Sequence, residues 1–202
     1  MSCFRKILVQ SVWLIVLFIS FSGCDVAKQA QKASNLAKCD FRISSVDNIN
    51  LAGVELQHIK SVSDLTISDM GRIFGGFASP VFPLSLVIYL DVLNPNAREA
   101  GLNRLDWILY IDDIQMTSGI LNKPIAIPGF GSVNIPVEVG LNLKNVLSGE
   151  SSGAMLNFCM NLTGFGNKPS RFKIRLKPTV IVAGAELTYP GYITVKTTYT
   201  SK

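Results

Sequence analysis

Apolar and polar residues alternate over long segments of this 202-residue chain, and this pattern constrains its fold more than any other feature. In the segment LSLVIYLDVLNPN every second residue is apolar: Leu84, Leu86, Ile88, Leu90 and Val92. Because successive side chains of a β-strand point to opposite faces, this period of two predicts a strand with one buried face. The following Asn94-Pro95-Asn96 is expected to end the strand, since proline lacks the N–H that a sheet requires.

The same alternation recurs in several other segments, which are separated by short turns. FRISSV and LAGVELQHI predict two strands separated by a turn at Asp47-Asn48. LDWILYIDDIQMTSG predicts a hairpin that turns at Asp112-Asp113, and ELTYPGYITVKTTYT predicts a turn at Pro190-Gly191. In KPIAIPGFGSVNIPVEVGL, Pro136 indicates an edge strand or a bulge. RFKIRLKPTVIV predicts a further strand, with Phe172, Ile174 and Leu176 facing inward.

Two regions change to the helical period. In SDLTISDMGRIFGGF the apolar residues at helical spacing are Met70, Ile73, Phe74 and Phe77, and Gly75-Gly76 are expected to end the helix. LNLKNVLSGESSGAMLNFCMNLTGFG predicts two short helices, the second with a stripe of Met155, Phe158, Cys159 and Leu162 before a C-cap at Gly164. The predicted fold is therefore mainly β (α+β), an antiparallel immunoglobulin- or fibronectin-III-like β-sandwich with two or three short helices.

The N-terminus has the three parts of a secretory signal peptide. Arg5 and Lys6 precede an apolar stretch over residues 7–21, and small residues then lead to Cys24. Phe21-Ser22-Gly23-Cys24 resembles the lipobox of bacterial lipoproteins, in which the thiol receives a diacylglycerol and the leader is cut before the cysteine. The resemblance implies lipidation of Cys24, with acyl chains replacing the leader as the membrane anchor. An uncleaved anchor and ordinary secretion are the alternatives.

These features divide the chain into a signal peptide (1–23), a lipidated tether (24–38) and one domain (39–202). The tether sequence DVAKQAQKASNLAK has only an alanine-rich apolar face, so we expect a solvated spacer rather than a packed helix. Loss of Arg5 and Lys6 with the leader would lower the formal net charge of +5 by two. A charge this small gives no indication of nucleic acid binding.

Two cysteines remain beyond the leader and the lipidation site. Cys39 and Cys159 could form a disulfide in an oxidising envelope. Alternatively they are separate buried thiols, which the apolar stripe around Cys159 favours.

The central strands resemble the late-embryogenesis-abundant group 2 domain, also called the water stress and hypersensitive response (WHy) domain. The matching positions are a strand ending in Asn94-Pro95-Asn96, the hairpin at Tyr110 to Asp112, Gly119 after it, and the strand at Ile135 to Val137. Asp113 departs from the glycine usual in that hairpin. The resemblance implies a fibronectin-III-like sandwich with neither enzymatic activity nor catalytic residues. Protection of other proteins during water loss has been proposed for this family.

The residues themselves offer little catalytic chemistry. His58 is the one histidine, and it has neither the partners of a zinc site nor a nucleophile elbow. We expect it to be a partly buried residue of a strand. Asp112-Asp113 are explained by a hairpin turn rather than by calcium. Asp64 and Asp69 are interpreted as first-turn helix charges. No catalytic residue, metal ligand or cofactor is predicted.

One row of charges is a candidate binding surface. The outward positions of RFKIRLK are all basic: Arg171, Lys173, Arg175 and Lys177. The row could bind an anionic partner such as headgroups or acidic glycans. It could equally be a solvated strand face that discourages edge-to-edge aggregation.

Taken together, the sequence predicts a non-enzymatic, lipid-anchored protein of the bacterial cell envelope, on the periplasmic or outer-membrane side. It would act as an interaction, scaffold or stress-protective module, held to a membrane by its lipid and binding an envelope protein. The alternatives are an envelope carrier of an apolar or glycan ligand and, less favoured, a hydrolase built on residues without a recognised motif.

Overall fold

A computed structural model describes residues 25–59, 62–146, 153, 157–158, 161 and 168–199. Helix α1 covers residues 25–36. The elements that follow are β1 (Asp40–Leu51), β2 (Val54–Glu55), a 3-10 turn (Val62–Asp64), α2 (Ile67–Ala78), β3 (Pro83–Leu93), β4 (Ala100–Leu102), β5 (Arg104–Ile111), β6 (Ile114–Leu121), β7 (Ile125–Ile127), β8 (Ser132–Asn142), α3 (Leu143–Val146), β9 (Ser170–Val182), β10 (Ala185–Thr188) and β11 (Ile193–Tyr199).

The strands form two main sheets in which every pairing is antiparallel. The four-stranded sheet has the order β2-β1-β3-β8, and the five-stranded sheet has the order β10-β9-β5-β6. Strand β11 also pairs with β9, along residues 170–176, while β10 pairs with residues 179–182. A small sheet of β4 and β7 lies apart from both. The prediction of a mainly β, antiparallel fold with short helices is confirmed.

One hydrophobic core receives side chains from both main sheets. The alternating residues of β3 that were expected to face inward are at most 2% exposed: Leu84, Leu86, Ile88, Leu90 and Val92. Phe172, Ile174 and Leu176 of β9 are buried in the same cluster. Phe158, from the second predicted helix, packs edge-on against Phe172 with ring centroids 5.0 Å apart. The period of two therefore identified the buried face of both strands correctly.

The hairpins turn on pairs of residues that both have positive φ. Such pairs are Ala52-Gly53, Asp112-Asp113 and Ala183-Gly184, and positive φ at both central positions is what a type I′ turn requires. The predicted hairpin at Asp112-Asp113 is confirmed. The predicted turn at Asp47-Asn48 is wrong, because β1 continues through these residues as an irregular stretch paired with β3.

Helix α2 begins at a capping box and continues through its glycines. The side chain of Thr66 accepts a hydrogen bond from the Asp69 backbone, and the Asp69 carboxylate accepts one from the Thr66 backbone. Gly75-Gly76 were expected to end the helix, but it continues to Ala78. A Cβ at Gly76 would lie 2.8 Å from the Phe82 ring and 2.9 Å from Ala52. This glycine therefore allows close packing rather than ending the helix.

Helix α1 packs on the domain, which differs from the solvated spacer expected for this segment. Asn35 and Leu36 are each 3% exposed. The Asn35 side chain donates to the backbone carbonyls of Arg98 and Glu99 at 3.2 and 2.9 Å. The alanine content of the segment did not indicate this packing, because the packing depends on Asn35 and Leu36 at the end of the helix.

The loop after β3 is held by buried amide groups. Asn94 is fully buried, and its side-chain amide lies 3.0–3.1 Å from the carbonyl oxygens of Arg98, Ile127 and Pro128. Its side-chain oxygen accepts from the backbone and side-chain nitrogens of Asn96. The Asn96 side chain also donates to the Asn35 carbonyl at the end of α1. Asn94 and Asn96 thus join β3, the β7–β8 loop and α1.

The predicted edge position of Pro136 is confirmed. Strand β8 lies at one edge of the four-stranded sheet. The Gly131 carbonyl accepts a hydrogen bond from the Asn94 backbone N–H, and the Leu143 N–H donates to the Phe82 carbonyl. The odd-numbered residues of β8 therefore direct their backbone N–H and C=O groups towards β3. Pro136 therefore faces the free edge, where its missing N–H costs no sheet hydrogen bond.

The region after β8 is described only in part. The first of the two predicted helices corresponds to α3, and residues 153, 157, 158 and 161 are helical. The predicted stripe residues Met155, Cys159 and Leu162, with the C-cap Gly164, lie outside the described residues.

Candidate interaction surfaces

The predicted basic row lies on the outer face of the five-stranded sheet. Its residues alternate along β9 with the buried Phe172, Ile174 and Leu176. Arg171 is exposed, while Lys173, Arg175 and Lys177 are half-buried. In the neighbouring strands, Lys173 pairs with Tyr110 of β5 and with Lys196 of β11. The sheet therefore brings a fifth cation, Lys196, beside the four found in the sequence.

The carboxylates of the β5–β6 turn pair with one end of the row. Lys173 Nζ lies 2.7 Å from Asp113 Oδ1, and Arg171 Nη2 lies 3.4 Å from Asp113 Oδ2. Arg171 Nε also lies 3.4 Å from Asp112 Oδ1. The hydrogen bond and the charge of Lys173 hold the pKa of Asp113 below its usual value. Since each of these pairs has at least one solvent-exposed partner, Arg171 or Asp113, the pairs stabilise the fold only weakly.

The cations at the other end of the row pack on aromatic rings instead. The Arg175 guanidinium carbon lies 4.0 Å from the Tyr192 ring centroid, and Lys177 Nζ lies 5.5 Å from it. Arg175 Nη1 is 3.5 Å from Tyr110 Oη. Within the described part of the chain, no carboxylate lies within 4.0 Å of the charged nitrogens of Arg175 or Lys177. We call Arg175, Lys177, Lys196 and Tyr192 the cationic patch.

The sequence patterns did not indicate that Tyr110 and Tyr192 belong to this surface. Tyr110 reaches Lys173 and Arg175 because β5 pairs with β9, a contact between residues more than 60 positions apart. Tyr192 precedes β11 and returns to the same face. Neither contact leaves a local signal, since both depend on the order of strands in the sheet.

A cleft of about 760 Å³ opens between the free edges of β6 and β8. Its apolar wall includes Trp107, Ile120, Leu121, Ile125, Val133 and Val137. Lys123 and Glu138 supply charges at the wall. The volume lies within the range of small-molecule pockets, so the cleft is a candidate ligand site.

A second exposed apolar surface lies along α2. Ile67, Phe74 and Phe77 are 87%, 71% and 58% exposed. The opposite side of the helix contacts the domain through Gly76 and the half-buried Ile73. The predicted helical spacing of Phe74 and Phe77 is correct, but both residues are largely exposed. Phe77 keeps an edge-on contact with the ring of the buried Phe82, with centroids 6.1 Å apart.

Cys39 carries a free thiol packed against the core. Its Sγ lies 3.4 Å from the Asn35 carbonyl oxygen, and burial, with the nearby charge of Asp40, raises the thiol pKa to about 11. Cys159 and the proposed lipidation site Cys24 both lie outside the described residues.

The remaining candidates are placed as follows. His58 is exposed in a turn, so the expectation of a partly buried strand position is wrong. Asp69 belongs to the capping box, and the hydrogen bonds from Thr66 lower its pKa.

In the described residues, no group of three His, Cys, Asp or Glu side chains could hold a metal ion. Over the same residues, no helix has the length and apolar character needed to cross a membrane.

Comparison with known proteins gives distant structural similarity alone. No family model matches the sequence, and no curated protein matches it significantly. The solution structure of the Arabidopsis thaliana protein AT1g01470 is 10% identical, with a TM-score of 0.45, over 79% of this chain and 80% of that one. A protein from Archaeoglobus fulgidus is 11% identical, with a TM-score of 0.38, over 61% of this chain and 89% of that one. At2g46140.1, assigned to the late embryogenesis abundant (LEA) proteins, is 13% identical, with a TM-score of 0.37, over 96% of this chain and 85% of that one. Among its solved structural neighbours the chain is thus similar to a LEA protein.

Proposed function

We propose that this protein is a non-enzymatic interaction, scaffold or stress-protective module, tethered to a membrane of the bacterial cell envelope by a lipid on Cys24. Its two sheets would form a fibronectin-III-like sandwich of the late-embryogenesis-abundant group 2 type. The lipid on Cys24 would directly precede the first turn of α1, where residues 25–28 are exposed.

The observation that carries the proposal is that the described polar side chains with buried contacts or a perturbed pKa stabilise the fold rather than gather in a cleft. Asn94 and Asn35 satisfy loop carbonyls, and Asp113 pairs across the sheet. The three described groups with perturbed pKa values are Cys39, Asp69 and Asp113, and each shift follows from burial, capping or an ion pair. None of the three lines the cleft between β6 and β8. Enzymes instead concentrate perturbed groups in a cleft, so this distribution favours a binding module.

Mass spectrometry of the N-terminus, in protein taken from native membranes, tests the anchor. We expect a mature chain that begins at a lipid-modified Cys24. The variant Cys24→Ser should accumulate as unprocessed precursor, whereas the matched variant Cys3→Ser should be processed normally. A wild-type chain that retains residues 1–23, or that carries an unmodified Cys24, would contradict the proposed anchor.

An activity screen with ester, glycoside and peptide substrates tests the non-enzymatic part of the proposal. We expect no turnover above that of a matched preparation from cells lacking the protein. Turnover that co-purifies with the chain would instead support the hydrolase alternative.

The cleft between β6 and β8 supports a second candidate function, an envelope carrier of an apolar ligand. Its apolar wall and volume fit a small lipid or a similar molecule. Native mass spectrometry of protein isolated from envelopes would show a bound mass for a carrier. The variant Ile120→Glu, at a residue 65% exposed on the cleft wall, should then lose that mass. Ligand-free wild-type protein would remove this candidate.

A further inference from the structure

We propose that the outer face of the five-stranded sheet docks on the headgroups of anionic phospholipids, through the cationic patch of Arg175, Lys177, Lys196 and Tyr192. This inference rests on the proposed membrane tether and adds an orientation to it. The domain would lie with this face towards the bilayer surface.

The cations of this face differ in whether a carboxylate pairs with them. Arg171 and Lys173 already have carboxylate partners in the β5–β6 turn. Arg175 and Lys177 lie against the Tyr192 ring, which supplies no full negative charge. The Asp106 carboxylate, which stands opposite Lys177 in β5, pairs with Arg104 instead. Lys196 stands directly opposite Lys173, and the single Asp113 carboxylate is shared by Arg171, Lys173 and Lys196. The face therefore keeps an excess of positive charge. Anionic groups brought to the patch would relieve this excess of positive charge.

The geometry of Arg175 suits phosphate in particular. Its guanidinium lies over the Tyr192 ring and keeps one contact, to Tyr110 Oη at 3.5 Å. A guanidinium has five N–H donors in a planar fork that matches phosphate oxygens. Stacking on the ring fixes the plane of the fork, so the donors along its other edges remain available to an anion.

Apolar and aromatic residues on the same face suit a membrane surface better than a soluble anion. Ile108 of β5 stands opposite Arg175, and Ile120 of β6, 65% exposed, stands opposite Asp106. Tyr192 is 39% exposed beside the two cations. Tyrosine is favoured at the boundary between headgroups and acyl chains, and basic residues are attracted to anionic headgroups.

The position of the tether places this face near the membrane. The side chain of Gln29 in α1 accepts a hydrogen bond from the Ala183 backbone at 2.8 Å, in the turn that follows β9. Lys177 is six residues before Ala183, which corresponds to about 20 Å along an extended strand. Residues 25–29 of α1 add about 6 Å to this path. An anchor just before residue 25 therefore keeps the near end of the patch within about 26 Å, so that a tilt of the domain can bring this face onto the headgroups.

Lysine footprinting of the full chain in vesicles tests the inference. We would compare acetylation rates of Lys177 and Lys196 in phosphatidylcholine vesicles and in vesicles with one third phosphatidylglycerol. We expect several-fold slower modification of both in the anionic vesicles, and recovery in 1 M NaCl, where the Debye length falls to about 3 Å. Lys123, in the β6–β7 connection, is the internal reference. Equal rates in both vesicles would overturn the inference.

Two variants test whether the shielding depends on the patch residues, and inorganic phosphate tests whether it depends on lipid. In Arg175→Gln/Lys177→Gln, the lipid-dependent shielding of Lys196 should disappear. In Arg42→Gln, which removes an exposed cation from β1 of the other sheet, it should remain. Shielding in phosphatidylcholine vesicles with 10 mM inorganic phosphate would show a site for a soluble anion and overturn docking on lipid.

The same samples separate this inference from the anchor. Unshielded lysines with a lipidated Cys24 would overturn the docking face alone. Shielded lysines with an unmodified Cys24 would overturn the lipid anchor alone, because an uncleaved apolar leader also holds residue 25 at the surface.

Discussion

At the scale of single residues, Asn94 shows what the Asn-Pro-Asn sequence does in this fold. The strand ends there, as proline requires, but the asparagines do more than permit a turn. The Asn94 amide serves three carbonyls from two loops that are distant in sequence, and Asn96 links it to α1. A motif that the sequence indicates only as the end of a strand is therefore a buried hydrogen-bonded junction in the structure.

Replacement of Asn94 should lower the free energy of unfolding. Asn94→Ala leaves buried carbonyls without their donor, and each unsatisfied buried group costs about 1–3 kcal/mol, so we expect a loss of roughly 3 kcal/mol in the free energy of unfolding. Urea denaturation followed by tryptophan fluorescence measures it. Asn134→Ala is the control, because this exposed residue bonds the side chains of Ser44 and Asp91 on the sheet surface. Equal losses in the two variants would contradict the junction.

At the scale of elements, the β5–β6 hairpin was the most predictable part of the molecule. Its alternation and its Asp112-Asp113 turn are local signals, and both are confirmed. By contrast, the true end of β1 was missed, because Asn48 has positive φ within an irregular strand whose pairing with β3 is fixed by distant residues. Local patterns thus predicted strands and faces, whereas register and contacts between strands required the tertiary structure.

Gly119 gives the hairpin a specific packing requirement. A Cβ at this position would lie 2.4 Å from the Trp107 ring across the strand pair. Gly119→Ala must therefore displace a buried indole, and overpacking of this kind costs about 1–3 kcal/mol. Gly140→Ala in β8 is the matched control, since its Cβ would meet nothing within 4 Å. Thermal unfolding that lowers Tm for Gly119→Ala but not for Gly140→Ala is expected, and equal shifts would argue against this contact.

The turn of the same hairpin should contribute a pH-dependent stability. The folded-state pKa of Asp113 is lowered, chiefly by its hydrogen bond from Lys173. The ionised carboxylate therefore stabilises the fold at neutral pH, and this contribution is lost as pH falls below about 4, the unfolded value, through the lowered folded pKa. Asp113→Asn should be slightly less stable than wild type at pH 7 and equal to it in strong acid. Because the Asp113 side chain is exposed, 1 M NaCl should shrink the difference at pH 7. A difference independent of pH would contradict this assignment.

At the scale of the whole molecule, α1 sets the orientation of the domain relative to the chain segment before residue 25. The first turn of the helix is exposed, and its last residues enter the core beside the Asn94 junction. Gln29 adds a contact to the turn after β9, and Lys32 pairs with Glu99. A helix fixed at several points orients the domain relative to the segment before residue 25, which a flexible spacer would not do. No local pattern predicted this packing, because each contact is made with a residue more than 60 positions away.

If α1 belongs to the cooperative unit, its last turn should affect the stability of the entire domain. Leu36 is 3% exposed in the common core, so Leu36→Ala should cost about 2–5 kcal/mol, as for other buried leucines, in a single unfolding transition. Val26, 39% exposed at the start of the same helix, is the matched control, and Val26→Ala should change stability by less than about 0.5 kcal/mol. Chemical denaturation followed in parallel by circular dichroism and tryptophan fluorescence would distinguish the alternatives. A helix that acts only as a spacer predicts equal, small effects in both variants, whereas a helix that orients the domain predicts a large loss confined to Leu36→Ala, seen equally by both probes.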